Sequence, residues 1–403
     1  MKRVLRRRLL LLIPPLFFVF RVVVFAQSGP MPEEQGHRYY TYGQLRGVSH
    51  YAVMRAVADA TTIPMFDYSV TASRDGNTYS GVMVGRSPFF HGARTTSIPV
   101  VIVPIKFTMS NGVVFDPTAP DDACAGGSTA IDLLENSPLF SPAAFTMPTE
   151  GGMEVGTGQY VDEFQRANFW QYVSVTGDRF HTTLGPISAA PVQSVKVPKG
   201  RGKSYAAACG RLGAIDGQWW DSKIFGGGGN KAEKILTALT KQGLIGPTTL
   251  PIFVFYNVVM DSYGDSDCSP PGGCALGYHN ALPGKSIQTY ITADYDTDGF
   301  ARPELNSAPL SHELAEWMDD PLGNNPVPTY GHVGEVAGCQ KNLEVADPLQ
   351  GIEFPPVTLN DTTYTVQELA FFSWFYGGPS VAVDETFSDN DTFTSPAFPC
   401  SKD

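Results

Sequence analysis

An apolar run at residues 250–260, Leu-Pro-Ile-Phe-Val-Phe-Tyr-Asn-Val-Val-Met, constrains the fold more than any other segment. It is too short to cross a bilayer, which takes about 20 apolar residues. Because the run is continuously apolar and of strand length, it predicts a buried strand. Residues 286–293 follow a different pattern, in which Ile287, Thr289 and Ile291 alternate with other residues. This alternation predicts a half-exposed strand.

The other patterns predict an α+β protein with a mixed sheet packed on helices. Strand-like segments flank turn sequences at residues 67–73 and 78–85 and at residues 97–109 and 113–116. Helical spacing recurs at 159–173 and at 230–242, where Asn230 and Glu233 resemble a capping box. We therefore divide the chain into a segment 1–26, a β-rich N-terminal region 27–158 and an α+β region 159–403.

Residues 1–26 have the features of a signal peptide. Basic residues at positions 2, 3, 6, 7 and 8 precede the apolar run 9–20, and Ala26 offers a cleavage site before Gln27. An uncleaved membrane anchor is the alternative. We expect a secreted or periplasmic protein that has no stable association with a membrane after cleavage.

Charge and cysteine content extend this expectation. Loss of the six basic residues in segment 1–26 changes the formal charge from −12 to −18, which disfavours nucleic acid and anionic membranes as partners. Six cysteines in an exported chain predict up to three disulfides. We pair only Cys268 with Cys274, because the Ser-Pro-Pro-Gly-Gly between them favours a turn.

The segment that carries chemistry is Leu-Ser-His-Glu-Leu-Ala-Glu-Trp-Met-Asp-Asp-Pro at residues 310–321. A serine and an early proline before it, and the proline at its end, predict a short helix. His312 and Glu316 lie one helical turn apart, so both can bind one metal ion. Glu313 then occupies the general-base position of an HExxH metalloprotease, here in the form HExxE. On a surface helix the same residues would be only a solvated pair, which is the alternative.

A zinc site needs a third protein ligand from elsewhere in the chain. Glu344, in Leu-Glu-Val-Ala-Asp, is well placed in the sequence to supply it, and Asp347 is expected to orient a ligand. His332 and Glu335 are alternatives for the third ligand. For His279 we favour a hydrogen bond to a backbone carbonyl, with a position at the border of the cleft as the alternative.

These motifs resemble a family. The Ser-His-Glu-Leu-Ala-Glu helix with its Asp-Pro, followed by Glu-Val-Ala-Asp near a cysteine, is similar to secreted bacterial proteins described as zincin-like metallopeptidases, and distantly to the exordium or phosphate-induced proteins of plants. In both groups two cysteines and a histidine precede the helix, as Cys268, Cys274 and His279 do here. The resemblance covers about residues 250–350 and implies a zincin-like core. The residues it implies are His312, Glu316 and Glu344 as zinc ligands and Glu313 as catalytic acid/base.

A second metal is predicted from Asp-Tyr-Asp-Thr-Asp-Gly, which places carboxylates at alternate positions before a glycine. Leu305 stands where a full EF-hand needs glutamate, so a complete EF-hand is excluded. The spacing predicts a calcium site at Asp294, Asp296 and Asp298, with an acidic solvated turn as the alternative.

Together these observations predict a secreted zinc metallopeptidase that hydrolyses a peptide or protein substrate through a metal-activated water. Residues 286–293 are the predicted sheet edge along which the substrate adds as a strand. The alternative is a non-enzymatic extracellular binding protein whose metal site is a structural brace. Glycan hydrolysis by Asp319 and Asp320 is disfavoured, because adjacent residues of one helix cannot flank a glycosidic bond.

Overall fold

The computed structural model describes residues 50–90, 95–147, 153–177, 179–207, 209–225, 229–261, 274–282, 286–297, 306–331, 339–397 and 400. All of them belong to one unit, Pro32–Asp403. The predicted signal peptide, 1–26, lies outside the described residues. Within them, no helix has the length and apolar character that a membrane crossing requires.

Strands and helices are both extensive, which confirms the prediction of an α+β fold. The strands are β1 Met65–Thr71, β2 Thr78–Val84, β3 Thr95–Thr108, β4 Val114–Phe115, β5 Ala143–Met147, β6 Met153–Gly158, β7 His181–Ala189, β8 Gln193–Lys196, β9 Gly202–Ala206, β10 Arg211–Asp216, β11 Leu250–Tyr256, β12 Val258–Asp261, β13 Cys274–Ala275, β14 Gly277–Leu282, β15 Gln288–Tyr295, β16 Pro326–Gly331, β17 Cys339–Asn342, β18 Val357–Leu359 and β19 Thr362–Tyr364. The helices are α1 His50–Ala58, α2 Ala130–Glu135, α3 Tyr160–Asn168, α4 Trp170–Val173, α5 Gly217–Trp220, α6 Ser222–Phe225, α7 Lys231–Lys241, α8 Ala308–Asp319 and α9 Phe372–Tyr376.

A mixed sheet, the largest in the described residues, positions the site. Its strands run in the order β14, β15, β11, β3, with β7 and β8 parallel to β3 and β4 antiparallel to it. Helix α8 packs against β14 and β15. Strand β3 of the N-terminal region pairs with β11, so this sheet draws on both predicted regions, and the boundary after residue 158 stays a prediction.

The apolar run 250–260 forms two strands rather than the single strand predicted. Asn257 interrupts it with a φ of +54°, in the left-handed region. Its side chain holds the break, because Oδ1 accepts from the amide of Thr297 at 2.8 Å and Nδ2 donates to the Thr297 hydroxyl at 3.1 Å. Strand β12 then leaves the large sheet and pairs with β10. Both strands are fully buried, as the run predicts.

Strand β15 is buried along its whole length, so the prediction of a half-exposed edge strand at 286–293 is wrong. Antiparallel β14 covers one backbone edge and parallel β11 covers the other. Its two faces enter different core clusters, one through Ile291 and the other through Tyr290. A period of two in the sequence indicates that a strand has two faces, but not whether water covers either of them.

Most of the local predictions are confirmed. Strands β1 and β2 form the predicted hairpin, and β3 pairs with β4. Helices α3 and α4 occupy the predicted helical segment 159–173, and α7 occupies 230–242. The capping box at α7 is wrong in detail, because Asn230 precedes the helix without a side-chain capping bond among the described residues.

Two disulfides between described residues join distant parts of the chain, Cys124 with Cys209 and Cys339 with Cys400. They confirm the expectation of disulfide bonding and fit an extracytoplasmic protein. The predicted Cys268–Cys274 bridge stays a prediction, because Cys268 lies outside the described residues.

Candidate metal centre

Helix α8 carries the HExxE residues inside the core. It begins after Ser307, whose hydroxyl donates to the carbonyl of Thr365 at 2.6 Å, has a proline in its first turn, and ends at Asp319 before Pro321. Every residue of α8 is buried. The interpretation of HExxE as a solvated surface pair is therefore wrong.

One group of metal-capable atoms lies around His312. Its Nε2 is 3.2 Å from Oε1 of Glu316 and 3.5 Å from Oδ1 of Asp347. The amide of Asp347 donates to the same Glu316 oxygen at 3.2 Å, which fixes that carboxylate. Ligand atoms about 2.0–2.2 Å from a tetrahedral zinc lie about 3.3 Å from one another, so this spacing fits an ion.

A second group lies around His279, on strand β14 beside α8. Its Nδ1 is 3.5 Å from Oε2 of Glu313 and 3.8 Å from Oε2 of Glu316. Within each group, one ligand atom per residue lies within 4.8 Å of the others. Glu344 belongs to neither group, and its Oε2 lies 4.0 Å from His279 Nε2. The six side chains of this cluster are at most 1 % exposed, and they are His279, His312, Glu313, Glu316, Glu344 and Asp347.

Hydrogen bonds fix which nitrogen of each histidine carries a proton. Gln367 Nε2 donates to the carbonyl of Ala346 at 2.6 Å, so its Oε1 is the atom that faces His312 Nδ1 at 2.9 Å. That nitrogen must donate, so Nε2 is the nitrogen of His312 that a metal ion would displace a proton from or bind directly. His279 is held alike, because its Nε2 donates to the carbonyl of Asp320 at 2.9 Å.

Several buried atoms of the cluster have no hydrogen-bond partner among the described residues. They are Nδ1 of His279, both carboxylate oxygens of Glu313 and Oδ1 of Asp347. A buried polar atom without a partner costs about 1–3 kcal/mol, and more when it is charged. Coordination to a cation would satisfy these atoms, so the residues present fit a metal ion.

The electrostatics of the cluster also favour a cation. Burial raises the pKa of Glu313 well above its usual range and raises that of Glu316, although the neighbouring His312 opposes both shifts. Burial lowers the pKa of His279 to about 3, so this imidazole is neutral at pH 7. Burial also opposes a charge on His312, but the Glu316 carboxylate and Asp347 outweigh it and raise that pKa. A bound cation would stabilise the ionised carboxylates.

The predicted site residues are only partly assembled as expected. His312, Glu313 and Glu316 lie together, but Asp347 rather than Glu344 completes the group around His312. The predicted bond from His279 to a backbone carbonyl is present, and the same residue also enters the cluster. The alternatives at positions 332 and 335 lie outside the described residues. His279 reaches the cluster because antiparallel pairing of β14 with β15 places it beside α8. The one signal for this in the sequence was its position after the two cysteines.

The predicted calcium site stays a prediction, because Asp298 lies outside the described residues. Asp294 and Asp296 are both buried, so the alternative of a solvated acidic turn is wrong for them. Oδ1 of Asp294 accepts from the amide of Val258 at 3.0 Å and thereby helps to anchor the start of β12.

A further acidic group in the described structure, Asp162, Glu163 and His181, is engaged in its own contacts. His181 Nδ1 lies 2.7 Å from Asp162, and Arg166 Nε lies 3.2 Å from Glu163. Asp162 also accepts from the amide of Thr182 at 2.6 Å. These contacts give the group a structural role between α3 and β7.

Asp319, at the end of α8, allows a test by pH. Burial raises its pKa to about 7, although Gln165 donates to Oδ1 at 2.6 Å and opposes the shift. Between about pH 4 and pH 7 the unfolded carboxyl loses a proton that the folded one keeps, so stability falls as pH rises. We expect Asp319→Asn to raise the free energy of unfolding by roughly 2 kcal/mol more at pH 8 than at pH 5, measured with urea. An equal gain at both pH values would contradict this assignment.

No protein-family model, curated protein or solved structure matches this chain. The resemblance to zincin-like metallopeptidases therefore stays a prediction that rests on the motif. The geometry of the buried cluster is the observation on which a functional proposal depends.

Proposed function

We propose that this protein is a secreted, zinc-dependent peptidase with its metal centre on α8. The observation that carries the proposal is the position of His312 Nε2, which lies 3.2 Å from Glu316 and 3.5 Å from Asp347 while Nδ1 faces Gln367. His312 and Glu316 would hold the ion, with Asp347 as the third ligand. Glu344 stays the alternative third ligand that the sequence motif favours.

Zinc held by these residues would supply a Lewis acid that polarises a peptide carbonyl and makes a water molecule more acidic. Glu313 lies next to the first ligand in the chain and accepts the proton of the attacking water. It then donates this proton to the leaving amine. Burial, which raises the pKa of Glu313, makes its carboxylate a stronger base for the first of these steps.

Neighbouring residues would keep the reacting groups in place. Gln367 orients the imidazole of His312, and Ser311 in turn accepts from the amide of Gln367 at 2.9 Å. Gly277 leaves room for the base, since a Cβ there would lie 2.7 Å from Cγ and 2.8 Å from Oε1 of Glu313. A side chain at position 277 would thus displace the carboxylate that moves the proton.

A structural metal site is the second candidate function, and one observation favours it. No side chain of the cluster is more than 1 % exposed, as in closed sites whose ion only braces the fold. A peptide must reach Glu313 for the enzymatic proposal to hold. The two candidates therefore differ in whether the loaded protein turns over a substrate.

The test is hydrolysis of a mixed peptide library by protein that is purified without chelator, with cleavage followed by mass spectrometry. We expect cleavage that 1,10-phenanthroline abolishes and added zinc restores. A matched reaction with His312→Ala protein identifies any contaminating protease, because its cleavage would persist. Wild-type protein that holds zinc but cleaves no peptide would overturn the peptidase proposal in favour of the structural brace.

A further inference from the structure

We propose that the centre holds two metal ions, and that the carboxylate of Glu316 bridges them. This inference rests on the proposed metal centre and changes its composition. The first ion is the one on His312, Glu316 and Asp347. The second lies on His279, Glu313 and Glu316, which form a separate group of metal-capable atoms.

The two oxygens of Glu316 face different histidines. Oε1 lies 3.2 Å from His312 Nε2, whereas Oε2 lies 3.8 Å from His279 Nδ1. A carboxylate that offers one oxygen to each of two nitrogen donors has the arrangement of a bridging ligand. Helix α8 supplies this bridge from its centre, because i and i+4 spacing brings His312 beside Glu316.

His279 is built as a ligand in the same way as His312. Its Nε2 is used by the carbonyl of Asp320, and its Nδ1 is buried without a hydrogen-bond partner among the described residues. That nitrogen lies 3.5 Å from Oε2 of Glu313. An imidazole whose far nitrogen donates to a carbonyl and whose near nitrogen faces carboxylates is typical of metal-binding histidines.

The balance of charge supports two cations rather than one. Four carboxyl groups surround the two imidazoles, namely Glu313, Glu316, Glu344 and Asp347, and all are buried. If all four are ionised and both imidazoles are neutral, one divalent ion leaves a net charge of −2, whereas two divalent ions leave none. Because buried net charge is costly, two divalent ions match the cluster when it is fully deprotonated.

The second ion need not remove the proposed base. A carboxylate has two oxygens, so Glu313 can face the second ion through Oε2 and still accept a proton through Oε1. Oε2 of Glu344 lies 4.0 Å from His279 Nε2, the nitrogen that faces away from the second ion. We therefore assign Asp347 to the first ion and make Glu344 a ligand of neither ion.

The test is the metal content of separately purified variants after equilibration with zinc and gel filtration. We expect two equivalents of zinc in the wild type, one in His279→Ala, one in His312→Ala, and none in Glu316→Ala. His181→Ala is the matched control, because this histidine lies in a different group, and it should keep both. Wild-type protein loaded with Mn²⁺ should in addition give the exchange-coupled EPR spectrum of two neighbouring ions, which does not depend on how the variants fold.

Three results would overturn the proposal. In the first, the wild type binds one equivalent of zinc, which His312→Ala loses and His279→Ala keeps. The proposed single-ion centre then stands, and there is no second ion. One equivalent that both variants lose means that the two histidines share a single ion. No stoichiometric zinc and no coupled Mn²⁺ signal in the wild type would overturn this inference and the proposed function together.

Discussion

Glu313→Gln is expected to reduce peptide hydrolysis by about 10²- to 10⁴-fold at pH 7, the contribution that general acid–base catalysis usually makes. The amide has the shape of the carboxyl group but cannot accept the proton of water. The ion on His312 should be retained, because Glu313 is not among its ligands. The measurement pairs kcat on the best library peptide with the zinc content of the same sample.

Glu135→Gln is the matched control, since this glutamate ends α2 and lies outside the metal cluster. It should hydrolyse the peptide at the wild-type rate. If Glu313→Gln retained full activity, Glu313 would not be the base. If Glu313→Gln lost the ion on His312, Glu313 would be a ligand of that ion, contrary to its assignment as the base alone.

Removal of the metal is expected to lower the free energy of unfolding at pH 7 by about 4 kcal/mol or more. A ligand present at about 1,000 times its Kd stabilises the folded state by ~4.1 kcal/mol when the unfolded chain does not bind it. Without the ion, the buried carboxylates lose the charge that compensates them. Urea unfolding of the wild type with and without 1,10-phenanthroline measures the difference.

The difference in the free energy of unfolding with and without chelator should increase as the pH is raised from 5 to 8. Burial raises the pKa values of Glu313 and Glu316 in the metal-free protein. The folded state then binds protons that the unfolded state loses, so metal-free stability falls as pH rises. The affinity for the metal rises with pH, because its ligands must be deprotonated, and this also increases the difference. Glu316→Ala, which is expected to hold neither ion, should unfold at the same urea concentration with and without chelator, and a wild type insensitive to chelator would contradict the prediction.

Local elements were predictable where short-range chemistry decides the structure. The turn residues of the β1–β2 hairpin, and the serine and prolines that bound α8, act over a few residues and are visible in the sequence. His312 and Glu316 meet because of helical periodicity alone. These features required no knowledge of the rest of the fold.

The rest depends on contacts between distant segments. Burial of α8 requires β14 and β15 to cover it, and the role of His279 follows from that packing. The break at Asn257 depends on hydrogen bonds to Thr297, 40 residues later. Asp347 lies in the group around His312, where its amide binds Glu316, a contact that no spacing in the sequence indicates.

The most direct test of the central claim is the zinc content of wild-type protein that is recovered from outside the cytoplasm without chelator, compared with that of His312→Ala. The account predicts stoichiometric zinc in the wild type and loss of the ion bound by His312 in the variant. A wild type that is folded and free of stoichiometric metal would contradict it. The buried histidines and carboxylates of α8 and β14 would then be a polar core that holds no ion.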